Sequence, residues 1–579
     1  MAFKTRLLVA AIDFGTTFSG WAFSFKHEFH TDPKKVCTKN WVGPGMMTPK
    51  APTTVLIEPD GKTLNSFGYD AESKYKDLKH DQAKQYYYFH RFKMTLHGKT
   101  IDRTLSLSDE SNKSLPAKTV FSLAIRFLKD DLITTIRSGT TGEDLREDDI
   151  QWVLTVPAIW DDAAKQFMRE AAVEAGIKDD NLMLALEPEA ASIFCRLLPL
   201  EIKAGETSPF KPGAKYLLLD AGGGTVDITV HEVQSGGRLK ELHKANGGDW
   251  GGTKVDKAYF QFLEDLVGHS VFRHFRQSEE GREDYQEMYE DFETKKRNIS
   301  QNNAADVKLR IPTSLSDIFE NQEGCSFRKA MKNGKTVSCA LSLIGDKLVV
   351  PASVMKGFFS NAIHDIVSHL KDLRGGEDKD ISAILMVGGF SESSMLQHAI
   401  KSEFPDVKVI IPHEASLVVL KGAVLYGHDP SIIAQRVCKY TYGVEVNEIF
   451  DESKHDRAKQ LMIEGKLFCQ HVFSKHVEIG QTVTFNEVQS EQSYIPTADG
   501  KEVEFSIYGS IKKSPMYVTD EGSVKLGNLR IEVSDRSVPL SDRKFFVSMT
   551  FSGTEIEVSA KEQRTGISRK ASVDFLDLK

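Results

Sequence analysis

Two glycine turns in this chain carry the residue types that hold a polyphosphate. The first is Asp13-Phe14-Gly15-Thr16-Thr17, and the second is Asp220-Ala221-Gly222-Gly223-Gly224-Thr225-Val226-Asp227. Glycine lets a backbone approach phosphate closely, and turn N–H groups and threonine hydroxyls can donate to phosphate oxygens. An aspartate at a strand end can hold hydrated Mg²⁺ or orient a water. Taken alone, the first motif reads equally well as an ordinary hairpin turn. The second is harder to dismiss. Three consecutive glycines lose much backbone entropy on folding, yet they stand here between two apolar runs with an aspartate at each end. Together the two turns could clamp a triphosphate and its metal from opposite sides.

The elements that must position these turns follow a repeat. Residues 7–12 (LLVAAI) read as a buried strand feeding the first turn, with 19–26 as its hairpin partner. Residues 216–219 (YLLL) feed the second turn, and ITVHEV follows it. The same local design, strand–Asp–turn–strand, occurs twice and suggests two related lobes. Apolar spacing predicts a helix over 117–137 and a strand over 151–156 ending at Pro157. Asp161 and Asp162 cap a helix to about Ala175, closed by Gly176. Residues 202–214, polar and rich in Pro and Gly, read as a connector. Residues 254–300 read as largely helical and charged, 353–372 as an amphipathic helix, and 383–389 as a strand with a glycine turn. After about residue 440 the texture changes to short alternating runs such as HVEIGQTVTF and KEVEFSIYGS. Turns separate them, as in an all-β sandwich.

With 579 residues the chain is too long for one core, and three to five domains or subdomains are expected. Its 40 % hydrophobic and 27 % charged residues exclude a mostly disordered chain. A net charge of −8 lacks the overall footprint of a nucleic-acid binder. The six cysteines form no CxxC pair, against a zinc module or a disulfide scaffold and in favour of a reducing compartment. No run approaches the ~20 apolar residues of a membrane span. A soluble, cytoplasmic protein is the expectation.

In their order, DFGTT and DAGGGTVD resemble the ATPase superfamily of actin, sugar kinases and 70-kDa heat-shock proteins. Thr155-Val156-Pro157-Ala158, Glu187-Pro188-Glu189-Ala190-Ala191 and Val387-Gly388-Gly389 are in register with the heat-shock branch. Ser559-Ala560-Lys561-Glu562 with Thr565-Gly566 looks like the end of that family's β substrate-binding domain. Phe92-Lys93-Met94 and a divergent adenine site are similar to the atypical heat-shock 70-kDa protein 12 subfamily. The resemblance implies an α/β fold: a two-lobed actin-like ATPase domain with a C-terminal β-sandwich lacking an evident helical lid. Lobe I would span 1–205, lobe II 206–432, and the linker with the substrate-binding-like sandwich 433–579.

Site residues follow from the same resemblance. Asp13, Gly15, Thr16 and Thr17 match the first phosphate loop. Asp220, Gly222, Gly223, Gly224, Thr225 and Asp227 match the second, and Gly251 and Gly252 the next glycine pair. Lys93 falls at the catalytic lysine, although an exposed helix lysine would read the same way. Glu187 matches the glutamate of the water and metal shell. Asp13, Asp220 and Asp227 would hold Mg²⁺ through water, and Lys93, Glu187, Asp220 and Thr225 make up the catalytic set. Pro157 sits at the family's interdomain relay. Glu293, Lys296, Arg297 and Ser300 fit the adenosine helix. Their i, i+3, i+4, i+7 spacing puts all four on one face independently of the resemblance, as it would for a solvated stripe.

The chain also departs from the family. After Gly388-Gly389 the family has a hydroxyl segment and then an arginine that stacks on adenine; here Phe390-Ser391-Glu392 follows. An acid replaces the cation, so guanidinium stacking is lost and Phe390 is the aromatic surface on offer. His413 stands where an aspartate is usual. The acidic, aliphatic linker is replaced by Gln-Arg-Val-Cys-Lys-Tyr over 435–440, which puts coupling between domains in question. The expected function is a chaperone-type ATPase that binds ATP or ADP with Mg²⁺. It would gate protein clients through the β domain, work as a monomer, and meet co-chaperones and a nucleotide exchange factor, with no nucleic acid and no membrane span. The alternative is a nucleotide-gated scaffold or signalling adaptor with little turnover, raised by Glu392 and the linker. A small-molecule kinase and an actin-like filament former fit the appended β domain less well.

Overall fold

The computed structural model describes residues 6–43, 46–139, 145–198, 208–332, 341–375, 380–552, 554–572 and 575–576. Part of the connector expected at 202–214, namely 202–207, lies outside the described residues.

Two sheets of matching design carry the two turns. In lobe I the order is Leu182–Leu186, Ile150–Val156, Leu8–Phe14, Phe18–Phe25 and Cys37–Thr38. In lobe II it is Lys408–Ile410, Ala383–Val387, Lys215–Ala221, Val226–Val233 and Leu239–Gly248, followed by two further strands. In each lobe three parallel strands lead into an antiparallel hairpin. Leu8–Phe14 and Lys215–Ala221 are buried over nearly their whole length, as strands covered on both faces must be. Asp13 and Asp220 hold the same place, the sixth residue of a seven-residue strand.

Helices cover both sheets. Ala117–Gly139 and Asp162–Glu174 pack on lobe I. Asp161 caps the second of these, accepting from the Ala164 N–H at 2.8 Å, and Gly176 ends the turn beyond it at φ +91°. The stretch 254–300 divides into Thr253–Val267, His269–Gln277 and Glu279–Arg297. Gly268 (φ +92°) makes the first break, and Ser278 caps the third helix by accepting from the Gly281 N–H at 3.0 Å. Between the lobes, Glu187–Cys195 and Val418–His428 pack against each other and against both central strands, in a core that includes Val9, Ala11, Tyr216 and Leu218. Gly422 allows this approach, because a Cβ there would strike the Ala190 backbone.

The C-terminal part is a β-sandwich. A five-stranded sheet faces a four-stranded one, and Val444, Phe505, Ile507 and Ile531 meet Phe545, Val547, Met549 and Val558 in its core. Among the described residues no α-helix follows Val418–His428. The unusual linker docks nonetheless. Ile433–Val437 lies parallel beside Leu239–Gly248 as a strand of the lobe II sheet, and Thr482–Thr484 of the sandwich pairs with its outer edge. Arg436 sends both ends of its guanidinium to Glu189, at 2.6 Å each, and the Val437 N–H donates to Glu241 at 2.9 Å. The sandwich also touches lobe I: Arg169 pairs with Glu555 at 2.5 Å, and the Tyr442 hydroxyl meets Asp162 at 3.2 Å.

Candidate functional site

The two hairpins bring their turns face to face at the base of the interlobe cleft. A Cβ on Gly223 would collide with the Thr17 hydroxyl, and one on Gly224 with Thr16 and Met94. Gly251 lies against the Gly222 and Gly223 carbonyls, and its N–H donates to Gly224 O at 3.1 Å. The N–H groups of Gly252 and Thr253 donate to the Gly222 and Gly223 carbonyls at 3.1 and 2.8 Å, so the second loop is fixed by the start of the following helix. Gly388 (φ +85°) passes so close that a Cβ would stand 2.5 Å from Asp220 Oδ1. Gly389 follows in the same turn.

Three buried aspartates, the part-buried Glu187 and two lysines converge beneath the loops. Asp13, Asp220 and Asp227 are each at most 5 % exposed. Lys93, on the short 3₁₀ segment Phe92–Leu96, is buried and donates to Glu187 Oε1 at 2.7 Å. Its ammonium also lies 5.1 Å from the centre of the Trp160 ring. Glu187 opens the helix Glu187–Cys195 with Pro188 behind it, where the helix end favours an acid. Thr155 donates to Asp13 Oδ1 at 2.8 Å, and the Ile159 N–H donates to Asp227 Oδ1 at 2.8 Å.

Burial pushes the Glu187 carboxyl upward, with Lys93 opposing and Asp13 and Asp227 adding to the rise. Asp220 is driven well above the usual carboxylate range by burial and then by Glu187, Asp227 and Asp13. Asp13 goes the other way: burial would raise it, but Lys50 foremost, with Lys93 and the Thr155 hydrogen bond, brings it below the usual carboxylate value. One oxygen each of Asp220 and Asp227 is buried without a hydrogen-bond partner. Buried acids so crowded and incompletely satisfied fit a divalent cation, which would relieve the repulsion. Among the described residues no three His, Cys, Asp or Glu side chains come together as a direct metal cage. The resemblance implied a metal held through its water shell by Asp13, Asp220 and Asp227. Asp13, by contrast, already has a partner on each oxygen.

Not every residue of the expected base pocket lies as the spacing suggested. Glu293, Lys296 and Arg297 share the last turns of Glu279–Arg297, but the helix ends there. Ser300 lies beyond it, donating from both N–H and hydroxyl to Asn303 Oδ1, so the four-residue helix face is corrected to three. Lys296 bonds Asp256 at 2.7 Å, which also receives Arg91 at 2.8 Å and the Tyr289 hydroxyl at 2.9 Å. Arg297 pairs with Glu293 and faces the Phe18 ring. Phe390 packs into the lobe II core beside Gly252 rather than standing free as a stacking surface. Glu392 accepts from the Ser416 N–H at 3.3 Å.

A cavity of ≈ 1290 Å³ opens from Thr17 and Arg297 and runs between the lobes, past Tyr69, Tyr75 and Tyr289. Lys50, which no motif marks, donates to Asp13 Oδ2 at 2.5 Å. Lys439, in the linker, reaches the Ala158 carbonyl and, at 3.3 Å, the Trp160 carbonyl.

The Hsp70 protein family model matches residues 130–499. This chain belongs to the Hsp70 family. It is 34 % identical to mouse heat shock 70 kDa protein 12A, over 99 % of this chain and 92 % of that protein. To human heat shock 70 kDa protein 12B it is 33 % identical, over 98 % and 91 %. The chaperone protein dnaK of Cyanidium caldarium matches at 27 % over 51 % of this chain and 42 % of its own length. Members of the family are in general ATP-binding, chaperone-type ATPases, typically with Mg²⁺, and interact with protein clients. In this Hsp70-family chain no helix of the described residues is long and apolar enough to cross a membrane.

Proposed function

We propose that this chain binds Mg-ATP between its lobes and transfers the γ-phosphoryl group slowly to water, using lobe closure to alter the grip of the β-sandwich on a protein client. The observation that carries the reading is the buried Lys93–Glu187 pair, set with Asp13, Asp220 and Asp227 directly beneath two facing glycine turns. Phosphoryl transfer asks mainly for positioning and charge neutralisation.

Thr16, Thr17 and Thr225, with the N–H groups of their turns, would receive the phosphates. Asp220 and Asp227 would hold Mg²⁺ through water, and the ion would neutralise charge on the β- and γ-phosphates. Glu187 would accept a hydrogen bond from the attacking water, and Lys93 fixes that carboxylate while offering its remaining N–H groups to the γ-phosphate. Glu293 and Arg297, which line the cavity, would face the ribose and base, with Lys296 behind them on Asp256 and Glu293. A client, co-chaperones and an exchange factor are partners of this reading, and cytoplasm is its setting.

Single-turnover hydrolysis of ATP with Mg²⁺ and no added acceptor tests it, with Asp220→Ala as the control. Slow phosphate release that disappears in the variant supports the ATPase. Tight ATP binding with no release in either protein replaces it with the nucleotide-gated scaffold. Glu392, an acid beside the expected base pocket, favours that second reading.

A further inference from the structure

Asp13 stands opposite Gly20 in the lobe I hairpin, so its cross-strand partner has no side chain. In lobe II the corresponding partner of Asp220 is a second acid, Asp227. The two halves of the site are therefore built differently. In lobe I the space beside Gly20 is taken by Lys50. The pairing of Ser19 with Ala51 brings the chain past this point, and a Cβ on Gly20 would lie 3.1 Å from Lys50 Cγ. The lysine stem crosses the bare glycine and sets its ammonium 2.5 Å from Asp13 Oδ2, with side chains 13 % and 6 % exposed. Thr155 donates to the other oxygen of Asp13. Asp13 is thus satisfied by protein groups, while Asp220 and Asp227 each keep an oxygen with no partner.

We propose that Lys50 is a resident cation of the nucleotide site. It occupies Asp13, leaves the divalent metal to the Asp220–Asp227 half, and contributes a second protein-borne positive charge, besides Lys93, toward a bound polyphosphate. An ammonium has three N–H donors, and Asp13 takes one of them. Lys50 is a positioning residue on this account, acting through Asp13 and through its field. The inference rests on the Mg-nucleotide reading above.

The test is equilibrium binding of Mg-ADP by calorimetry to the full chain, its Lys50→Met and its Lys50→Arg variants. Each is measured in methylammonium chloride and in tetramethylammonium chloride at equal ionic strength, with thermal melts as a folding check. Methylammonium is small enough to replace the lost group, and tetramethylammonium has no N–H to donate. Lys50→Met is expected to lose about tenfold or more in affinity, the usual worth of a hydrogen bond to a charged group. Arginine, or methylammonium added to Lys50→Met, should recover part of it. Affinity within twofold of the parent, or a loss that neither arginine nor methylammonium relieves, overturns the inference and leaves the Mg-nucleotide reading standing. A parent chain that binds no nucleotide overturns both, so the two failures are distinguishable.

Discussion

At the scale of single residues, the buried Lys93–Glu187 pair is the sharpest point of the site. Removing one member leaves an uncompensated charge or forces it to neutralise, typically a loss of about 3–5 kcal/mol. Lys93→Met should lower stability to urea by about that amount and abolish phosphate release. Lys93→Met combined with Glu187→Gln should regain most of the stability and none of the turnover. If both variants are equally unstable, the pair does not carry the charge balance described. Asp13, Asp220 and Asp227 were legible in the sequence, because each lies in a glycine turn whose residue types announce phosphate chemistry, whereas Glu187 entered only through the family resemblance. Lys50 was not legible, because it comes from a loop 37 residues after Asp13 and reaches it only through strand register. Ser300 was misplaced by spacing alone. A helix stops where local polar groups offer the backbone a better partner, and the Asn303 side chain does so here.

At the scale of elements, the linker strand Ile433–Val437 shows what composition hides. Its sequence lacks the family's acidic character, yet it joins the lobe II sheet. Its charge is answered by Glu189, which stands in the Glu187-Pro188-Glu189 motif. Arg436 and Glu189 stand 247 residues apart, and nothing local in the sequence pairs them. Arg436→Ala should leave Glu189 buried without its partner and free the strand. Amide exchange at 433–437 should rise about tenfold or more, as expected when a buried pair worth several kcal/mol is broken. A joint Arg436→Met, Glu189→Leu change should restore protection. Unchanged exchange in Arg436→Ala would mean that the strand is held by its backbone bonds alone. The lobes and the sandwich were readable because strand, Asp, turn and strand recur and because two-residue alternation begins near residue 440. The splitting of 254–300 into three helices was not, since Gly268 and Ser278 interrupt an otherwise uniform charged run.

At the scale of the whole molecule, the cleft between the lobes is bridged by charge. Lys76 of lobe I meets Glu290 of lobe II at 2.5 Å, and Arg91 reaches across to Asp256. Near this bridge Glu72 is pushed up to about 7, first by burial and then by Glu290, with Thr54, His90 and Lys76 opposing. With the lobes bridged in this way, Glu72 keeps its proton to a higher pH than a solvated carboxyl, which would release it near 4.5. Closure is favoured below that lower value, loses ground as pH rises toward about 7, and is constant in this respect above it. Interlobe distance measured by paired fluorophores should lengthen between about pH 4.5 and 7, the window those two values set, and stay level above it. Glu72→Gln should remove that part of the change. An identical pH response in the variant would assign it to other groups.

The short loop Ala158–Trp160 is held from both sides. Lys439 of the linker grips its carbonyls, while Asp227 takes the Ile159 N–H and Lys93 lies over the Trp160 ring. A strut shared in this way obeys reciprocity: whatever factor the nucleotide adds to linker docking, linker docking returns to nucleotide affinity. On the function proposed above, a client that pulls the sandwich away would change nucleotide affinity by that same factor, and the nucleotide would change the grip on the client in return.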